Sequence, residues 1–295
     1  MMPVMSAGEV GTMAAEALQH VATRALGTTP IVEYVSGAPV PWSVIADGGW
    51  DSIGVAEADG GGGAGLVDLV YAARAWGQSC IPLPFVVSTM TKRWCPAARE
   101  HTDPVTIAVP RVRGAQNRAR APFAAEPGVL VARSLGGDNT APEIVADATV
   151  DNFAPSLRLA AVPWSSPVAP AAATELGVVW AAEATGSAQK LLELSVDYAK
   201  DRRQFGKQIG SFQAVKHRLA DMRMQTEAAE TAVLWAALQP EDAERAARFA
   251  LDTAVEVAES AVQVHGGMGF TWELGIHFYL RHVLTLRELV HGLWR

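Results

Sequence analysis

Two short stretches hold residue types whose spacing suits chemistry. The first, RRQFGKQIGSFQ, runs from Arg202 to Gln213 and sets three cations, Arg202, Arg203 and Lys207, around Phe205 and Gly206. Gly210 then precedes a helical pattern whose first turn holds Ser211 and Gln213. Cations, exposed backbone amides and an aromatic ring meeting at a helix start suit a pyrophosphate, since the amides and the positive end of the helix dipole both favour an anion. Taken by itself, the same cluster also reads as a solvated charged face. The second stretch, QVHGGMGF, spans Gln263 to Phe270. Gly266, Gly267 and Gly269 permit close approach to the backbone, and Gln263 and His265 offer hydrogen bonds. A helix C-cap followed by a turn has the same spelling.

Other chemistries find little support. The seven histidines include no HExxH, and His277, His282 and His291 do not repeat on one helical face at ligand spacing, so no metal site is expected. Cys80 and Cys95 are too sparse for a zinc site or a disulfide framework and are expected as buried thiols. The glycine-rich GWDSIGVAEADGGGGAG, from Gly49 to Gly65, lacks the GK[ST] ending of a phosphate-cradling loop and reads as a plain loop. Arg111, Arg113, Arg118 and Arg120 read as loop arginines facing water, with contact to an acidic surface or a phosphate as the other reading. Glu183, a charge inside the apolar run WAAEATG, is expected as a helix or interface carboxylate.

These residues need a scaffold, and the chain can build one: 295 residues at 49% hydrophobic suffice for a sizeable core in two or three domains or layers. Lys plus Arg is 24 against 31 for Asp plus Glu, and the net charge of −7 argues against the broad attraction on which nucleic-acid binding depends. No apolar run approaches the ~18 to 20 residues of a membrane span. The start, MMPVMSAGEVG, has no basic segment followed by an apolar core, so a cytoplasmic location is expected.

Val10, Met13, Leu18 and Val21 predict a helix between Ser6 and about Leu26, and Leu66, Val70, Ala73 and Trp76 a second. From about Pro104, β-prone runs appear at Val105 to Val109, Gly128 to Leu135, Glu143 to Val150 and Leu157 to Trp164. Helical periodicity returns from Pro170. Ala188, Leu191, Leu192, Tyr198 and Ala199 mark one helix, and Phe212, Val215, Leu219, Met222, Thr226, Ala229, Val233 and Ala236 a narrow stripe on the next. A third runs from Pro240 to the Gly266-Gly267 pair, and a fourth carries Ile276, Tyr279, Leu280, Val283, Leu286 and Val290. The expected fold is α+β, mainly α: an N-terminal helical domain over 1–102, a small β-domain over 103–164 and a C-terminal four-helix bundle over 165–295.

In combination the two stretches are more specific than either alone. DYAKDRRQFGKQIGSFQAVKHRLADM, followed some fifty residues later by AVQVHGGMGFTWE, resembles the C-terminal helical domain of the acyl-CoA dehydrogenases. GWDSIGVAEADGGGGAGLVDLVYAARAWGQSCIPLPF is similar to that family's N-terminal helical domain. The resemblance implies FAD as cofactor, held by an Arg-x-x-Phe-Gly and a Gln-x-x-Gly-Gly element that reach mainly into the neighbouring subunit. Carried over, Arg202, Phe205 and Gln213 touch the FAD phosphates and adenosine side, and Gln263, Gly266 and Gly267 close over the ADP part. The implied reaction removes the α-proton of an acyl-CoA with a carboxylate while the β-hydride passes to the flavin, giving a 2-enoyl-CoA.

The departures from the family pattern carry as much information as the match. The Thr-Glu-Pro and Trp-x-Thr/Ser-Asn segments that hold the flavin ring are missing, and Asp103 to Pro163 is only 61 residues, roughly half of what the resemblance implies. At the family's two positions for the catalytic carboxylate stand Val290 and Leu176. Glu288 and Glu175 lie two and one residues away, and one residue of offset turns a helical side chain by ~100°. No catalytic residue is therefore expected in this chain, with Glu175 and Glu288 as the candidates to test. The expectation is an FAD-sharing subunit of a hetero-oligomeric acyl-CoA dehydrogenase, of the shortened, base-lacking actinobacterial kind. Its partner, in a heterodimer or an α2β2 heterotetramer, brings the base and the flavin-ring contacts, and a steroid side-chain thioester is one conceivable substrate. The alternatives are a self-sufficient homomeric dehydrogenase using Glu175 or Glu288, and a non-enzymatic scaffold.

Overall fold

The computed structural model describes residues 8–35, 37, 39–110, 118–137 and 139–294. In chain order its helices are α1 (Glu9–Leu26), α2 (Ile31–Tyr34), α3 (Ser43–Ala46), α4 (Leu66–Gly77), α5 (Phe85–Trp94), α6 (Pro170–Asp201), α7 (Gln213–Leu238), α8 (Ala243–His265) and α9 (Ile276–Leu293). Short strands fall between α5 and α6: β1 (Val105–Ile107), β2 (Ala119–Pro122), β3 (Leu130–Ala132), β4 (Thr149–Val150) and β5 (Leu159–Val162). A separate hairpin, β6 (Arg203–Gln204) and β7 (Lys207–Gln208), joins α6 to α7. The fold is α+β and mainly α, and no described helix is long and apolar enough to cross a membrane.

Helix α1 forms, but its inward face is not the one that the large apolar residues suggest. It buries Gly11, Ala14, Leu18 and Ala22, leaving Met13 58% exposed and Val10 39% exposed. Helix α5 is harder to read from the sequence because Ser88, Thr89, Thr91 and Lys92 are buried along with Phe85, Val86, Val87 and Met90, so its polar residues do not mark a solvent face.

The strands make two small sheets. β1 runs parallel to β3, with Val105 opposite Leu130, and β2–β5–β4 is antiparallel, with Ala119 opposite Val162 and Thr149 opposite Ala161. The run from Glu143 yields only β4 as a strand, Glu143 itself making an isolated bridge to Val131. The arginine-containing ARAP, taken from sequence for loop, is strand β2. Ala119, Ala121 and Pro122 are buried, while Arg120 carries its charge out along its aliphatic stem to Asp151, 3.1 Å away. Arg118 Nη2 donates to the Asp147 carbonyl at 2.7 Å. Arg120 is therefore built into the sheet, whereas Arg118 is the exposed loop arginine expected; Arg111 and Arg113 lie outside the described residues. Beneath the sheets sits a small alanine- and valine-rich core around Ala108, Ala121, Val131 and Val162, distinct from the large core that joins the helices.

Helices α6 to α9 run alternately up and down. Gln225 on α7 bonds Glu256 on α8, His282 on α9 meets Glu183 on α6, and Tyr198 near the end of α6 stacks on His265 at the end of α8. The α7 stripe is fully buried at Met222, Thr226, Ala229, Val233 and Ala236 but only half-buried at Phe212, Val215 and Leu219, so its first turns are the least covered. Helix α8 begins at Ala243 rather than Pro240, which lies in the preceding turn. Where α6 crosses α4 the backbones touch. A Cβ on Gly77 would lie 2.0 Å from the Glu183 carbonyl and one on Gly186 2.0 Å from that of Arg74, so any larger residue forces the helices apart.

Candidate functional site

The up-and-down order of the bundle brings the end of α6, the start of α7 and the end of α8 to one end of the molecule. After α6, Arg202 turns extended, and the β6–β7 hairpin reverses the chain through Phe205 (φ 53°) and Gly206 (φ 78°). Two consecutive residues with φ > 0 make the two-residue hairpin turn that matches strand twist; glycine adopts it freely, whereas phenylalanine does so at a cost. Phe205 is nevertheless 90% exposed. Its ring stands edge-on to Phe212 at 6.1 Å, and Lys207 Nζ lies 4.3 Å over the Phe212 ring.

This corner gathers three cations that no described carboxylate partners. Arg74, Arg93, Arg99, Arg120, Arg133 and Arg158 each have a carboxylate partner, but Arg202, Arg203 and Lys207 have none among the described residues. Helix α7 starts at Gln213 with no acidic residue in its first turn and no side-chain cap, since its N-cap is Phe212, while Ser211 donates its hydroxyl to the Gln208 carbonyl at 2.7 Å. An uncapped positive helix end beside unpaired cations is a favourable place for an anion.

Gln263, Gly266 and Gly267 are exposed at the end of α8. Gly266 has φ 60°, donates its N–H to the Gln263 carbonyl, and like Gly267 has open space where a Cβ would stand. His265 differs from the sequence expectation that it offers a hydrogen bond outward. It is buried, stacks at 4.4 Å on Tyr198, and donates from Nδ1 to the Ala261 carbonyl at 2.8 Å. Burial pushes its pKa down, with the Ala261 bond opposing. The stack packs the end of α8 against the end of α6.

The candidate carboxylates occupy other surroundings. Glu175 receives Arg93 Nε at 2.6 Å and Nη2 at 3.3 Å, and Trp94 Nε1 at 2.8 Å. Arg93 also donates to the carbonyls of Gly54 and Ala64, so this cluster ties α6 to α5 and to the loop before α4. Glu288 is half-buried on α9. Leu176 and Val290 are 1% and 0% exposed within the main core.

A third carboxylate stands out in the structure more than in the sequence. Glu183 is 4% exposed, with Oε1 3.3 Å from His282 Nε2, while His282 Nδ1 is 2.9 Å from Ser156 Oγ in the β4–β5 loop. The Nε2 contact is off-line, a charge contact rather than an aligned hydrogen bond. Glu183, Ser156 and Trp180 help line a cavity of about 10 Å³, room for about one water. Among the described residues no group of three or more His, Cys, Asp or Glu could hold a metal ion. Cys80 and Cys95 are both buried and not joined in a disulfide.

The family description "Acyl-CoA dehydrogenase, C-terminal domain" matches residues 173–289. Acyl-CoA dehydrogenase IpdE2 of Mycobacterium tuberculosis is 30% identical over 252 residues, 81% of this chain and 78% of its own. The ChsE4-ChsE5 complex from Mycobacterium tuberculosis contains a chain that is similar at TM-score 0.77 and 18% identity, over 99% of this chain and 96% of its own. A chain of the steroid ACAD Tcur3481-Tcur3483 is similar at TM-score 0.74 and 21% identity, over 97% and 95%. At those identities the solved structures speak for the fold alone. The chain belongs to the acyl-CoA dehydrogenase family, whose members are FAD-dependent oxidoreductases. The unpaired cations, the uncapped α7 start and the open Gly266 turn fit the phosphate end of FAD. The cofactor's flavin supplies the hydride-accepting chemistry of the family.

Proposed function

We propose that this chain is the cofactor-clamping subunit of a hetero-oligomeric acyl-CoA dehydrogenase that forms 2-enoyl-CoA. Arg202, Phe205 and Gln213 hold the phosphates and adenosine side of an FAD seated mainly in the partner, and Gln263, Gly266 and Gly267 close over its ADP part. The partner is a second acyl-CoA dehydrogenase-like subunit, in a heterodimer or an α2β2 heterotetramer, and brings the base and the flavin-ring contacts. The chain divides into a helical part to residue 102, a small β part to 164 and the bundle beyond it, and it works in the cytoplasm. That solved relatives include the ChsE4-ChsE5 complex and a steroid ACAD supports a partner subunit and a bulky, steroid-like acyl group.

The observation that carries this reading is the burial of Leu176 and Val290: apolar core side chains stand where the resemblance calls for a base, and an apolar side chain accepts no proton. The test is turnover of the assembled complex with Glu175→Gln or Glu288→Gln. Each is expected to stay within about threefold of wild type, because loss of a general base costs ~10²- to 10⁴-fold. Replacing the partner's carboxylate is expected to give that larger loss. A several-hundredfold collapse in either variant of this chain, with flavin content intact, returns the base to this chain and supports a self-sufficient enzyme.

A further inference from the structure

A cavity of about 600 Å³ opens between α1 and the turn after it, α4, α6 and the start of α9. It shares no lining residue with the clamp or with the carboxylates described above, and its size falls among those of small-molecule sites, ~300 to 1,000 Å³. Leu26, Ile31, Leu194 and Leu274 give it apolar walls. Tyr34 and Tyr279 also line it with their hydroxyls already committed, Tyr34 Oη donating to the Ser79 carbonyl at 2.6 Å and Tyr279 Oη to that of Gln78 at 3.2 Å. Burial pushes both phenols up, so they stay neutral.

Lys190 is the one charged side chain among the lining residues. Its ion pair with Glu193 is 3.4 Å long, between side chains 38% and 46% exposed, and a pair of that kind contributes little. The ammonium can therefore exchange Glu193 for a ligand carboxylate at little cost. The lining joins these apolar walls to neutral polar groups such as Gln19, Thr23 and Gln78 and to one cation, with Glu193 beside Lys190 as the nearest acid, so a ligand carboxylate enters by taking the place of Glu193 in a weak pair.

We propose that this cavity binds an amphipathic organic monocarboxylate, its apolar body against Leu26, Ile31 and Leu194 and its carboxylate on Lys190. The test uses the full chain, alone and in its complex, titrated calorimetrically at low ionic strength with octanoate, octanol and octylammonium, three probes that share a body and differ in head. Octanoate is expected to bind best, ahead of octylammonium by roughly tenfold or more. Lys190→Gln is expected to remove the preference for the anionic head, and Thr23→Trp, at an exposed rim position, to weaken all three probes. Gln19→Trp on the same rim is a second blocking variant should the first fold poorly. The proposal is overturned by octanoate failing to bind, by equal binding of all three heads to the wild type, or by octanoate binding that survives both rim variants. Flavin retention, which reports on the clamp, is not part of this readout.

Discussion

The inner seam of the bundle and its exposed end treat charge in opposite ways. Inside the bundle and where it meets α5 the carboxylates lie beside partners of this chain: Glu175 accepts from Arg93 and Trp94, and Glu183 stands 3.3 Å from His282, which meets Ser156. At the exposed end, Arg202, Arg203 and Lys207 have no counter-charge, Phe205 stands almost wholly in water, and α7 starts without a cap. A buried charge left alone is expensive, so groups kept inside must be satisfied within the chain. Unsatisfied groups at a surface cost little and wait for a ligand. The difference agrees with the proposal that what this chain contributes to chemistry is contributed outward, across an interface.

The largest effect is expected where the seam is broken. Glu183→Ala removes the charged partner of a buried imidazole and opens space beside a small cavity, and should cost about 3 kcal/mol. In a chain of this length that is a fall of roughly 5 to 10 °C in Tm, measurable by calorimetry. Replacing both partners with apolar residues of similar shape, Glu183→Leu with His282→Phe, should recover much of the loss. If Glu183→Ala leaves Tm unchanged, the seam is not a satisfied core and the contrast with the exposed end fails.

At the clamp the expected change is in affinity rather than stability. Arg202→Ala removes a charge-assisted hydrogen bond worth ~1.5 to 3 kcal/mol, so the complex should lose FAD affinity by roughly ten- to a hundredfold with Tm of the chain almost unmoved. Unchanged flavin retention on dialysis makes Arg202 an ordinary surface cation.

The smallest effect concerns the joint between the two regions. Because burial holds the His265 pKa below its ordinary value of ~6.5, the unfolded chain takes up this proton more readily than the folded one. Its contribution is therefore fully present above about pH 6.5 and is lost as pH falls toward the folded value. Flavin retention by the complex should weaken on acidification across that window, and His265→Gln should flatten the response. A wild-type profile that is already flat removes His265 from the support of the Gly266 turn.

How much of this was legible in the sequence depended on distance along the chain. The Arg202 to Gln213 stretch is contiguous, so its cluster of cations beside a helix start follows from local spelling, as do the long periodic helices of the bundle, although the β6–β7 hairpin within it does not. Glu175 meets Arg93 across 82 residues and Ser156 meets His282 across 126, and no local pattern announces such pairs. Helix α5 stayed hidden because its polar residues are buried with its apolar ones and mark no solvent face. Strand β2 stayed hidden because its inward residues are alanines and a proline, while its arginine drew the eye to charge. On α1, Leu18 alone of the expected Val10, Met13, Leu18 and Val21 is fully buried, and small residues, Gly11, Ala14 and Ala22, complete the inward face. His265 was misjudged for a related reason: the glycines beside it are open, but the imidazole itself turns in against Tyr198.

The central claim, that this chain clamps a cofactor it does not hold alone, is tested most directly by its colour. The chain is purified by itself and again after co-expression with its partner subunit, and the flavin absorbance of each is recorded per mole of protein. The account predicts a colourless isolated chain and a yellow complex carrying one FAD per heterodimer. Stoichiometric FAD on the isolated chain would contradict it.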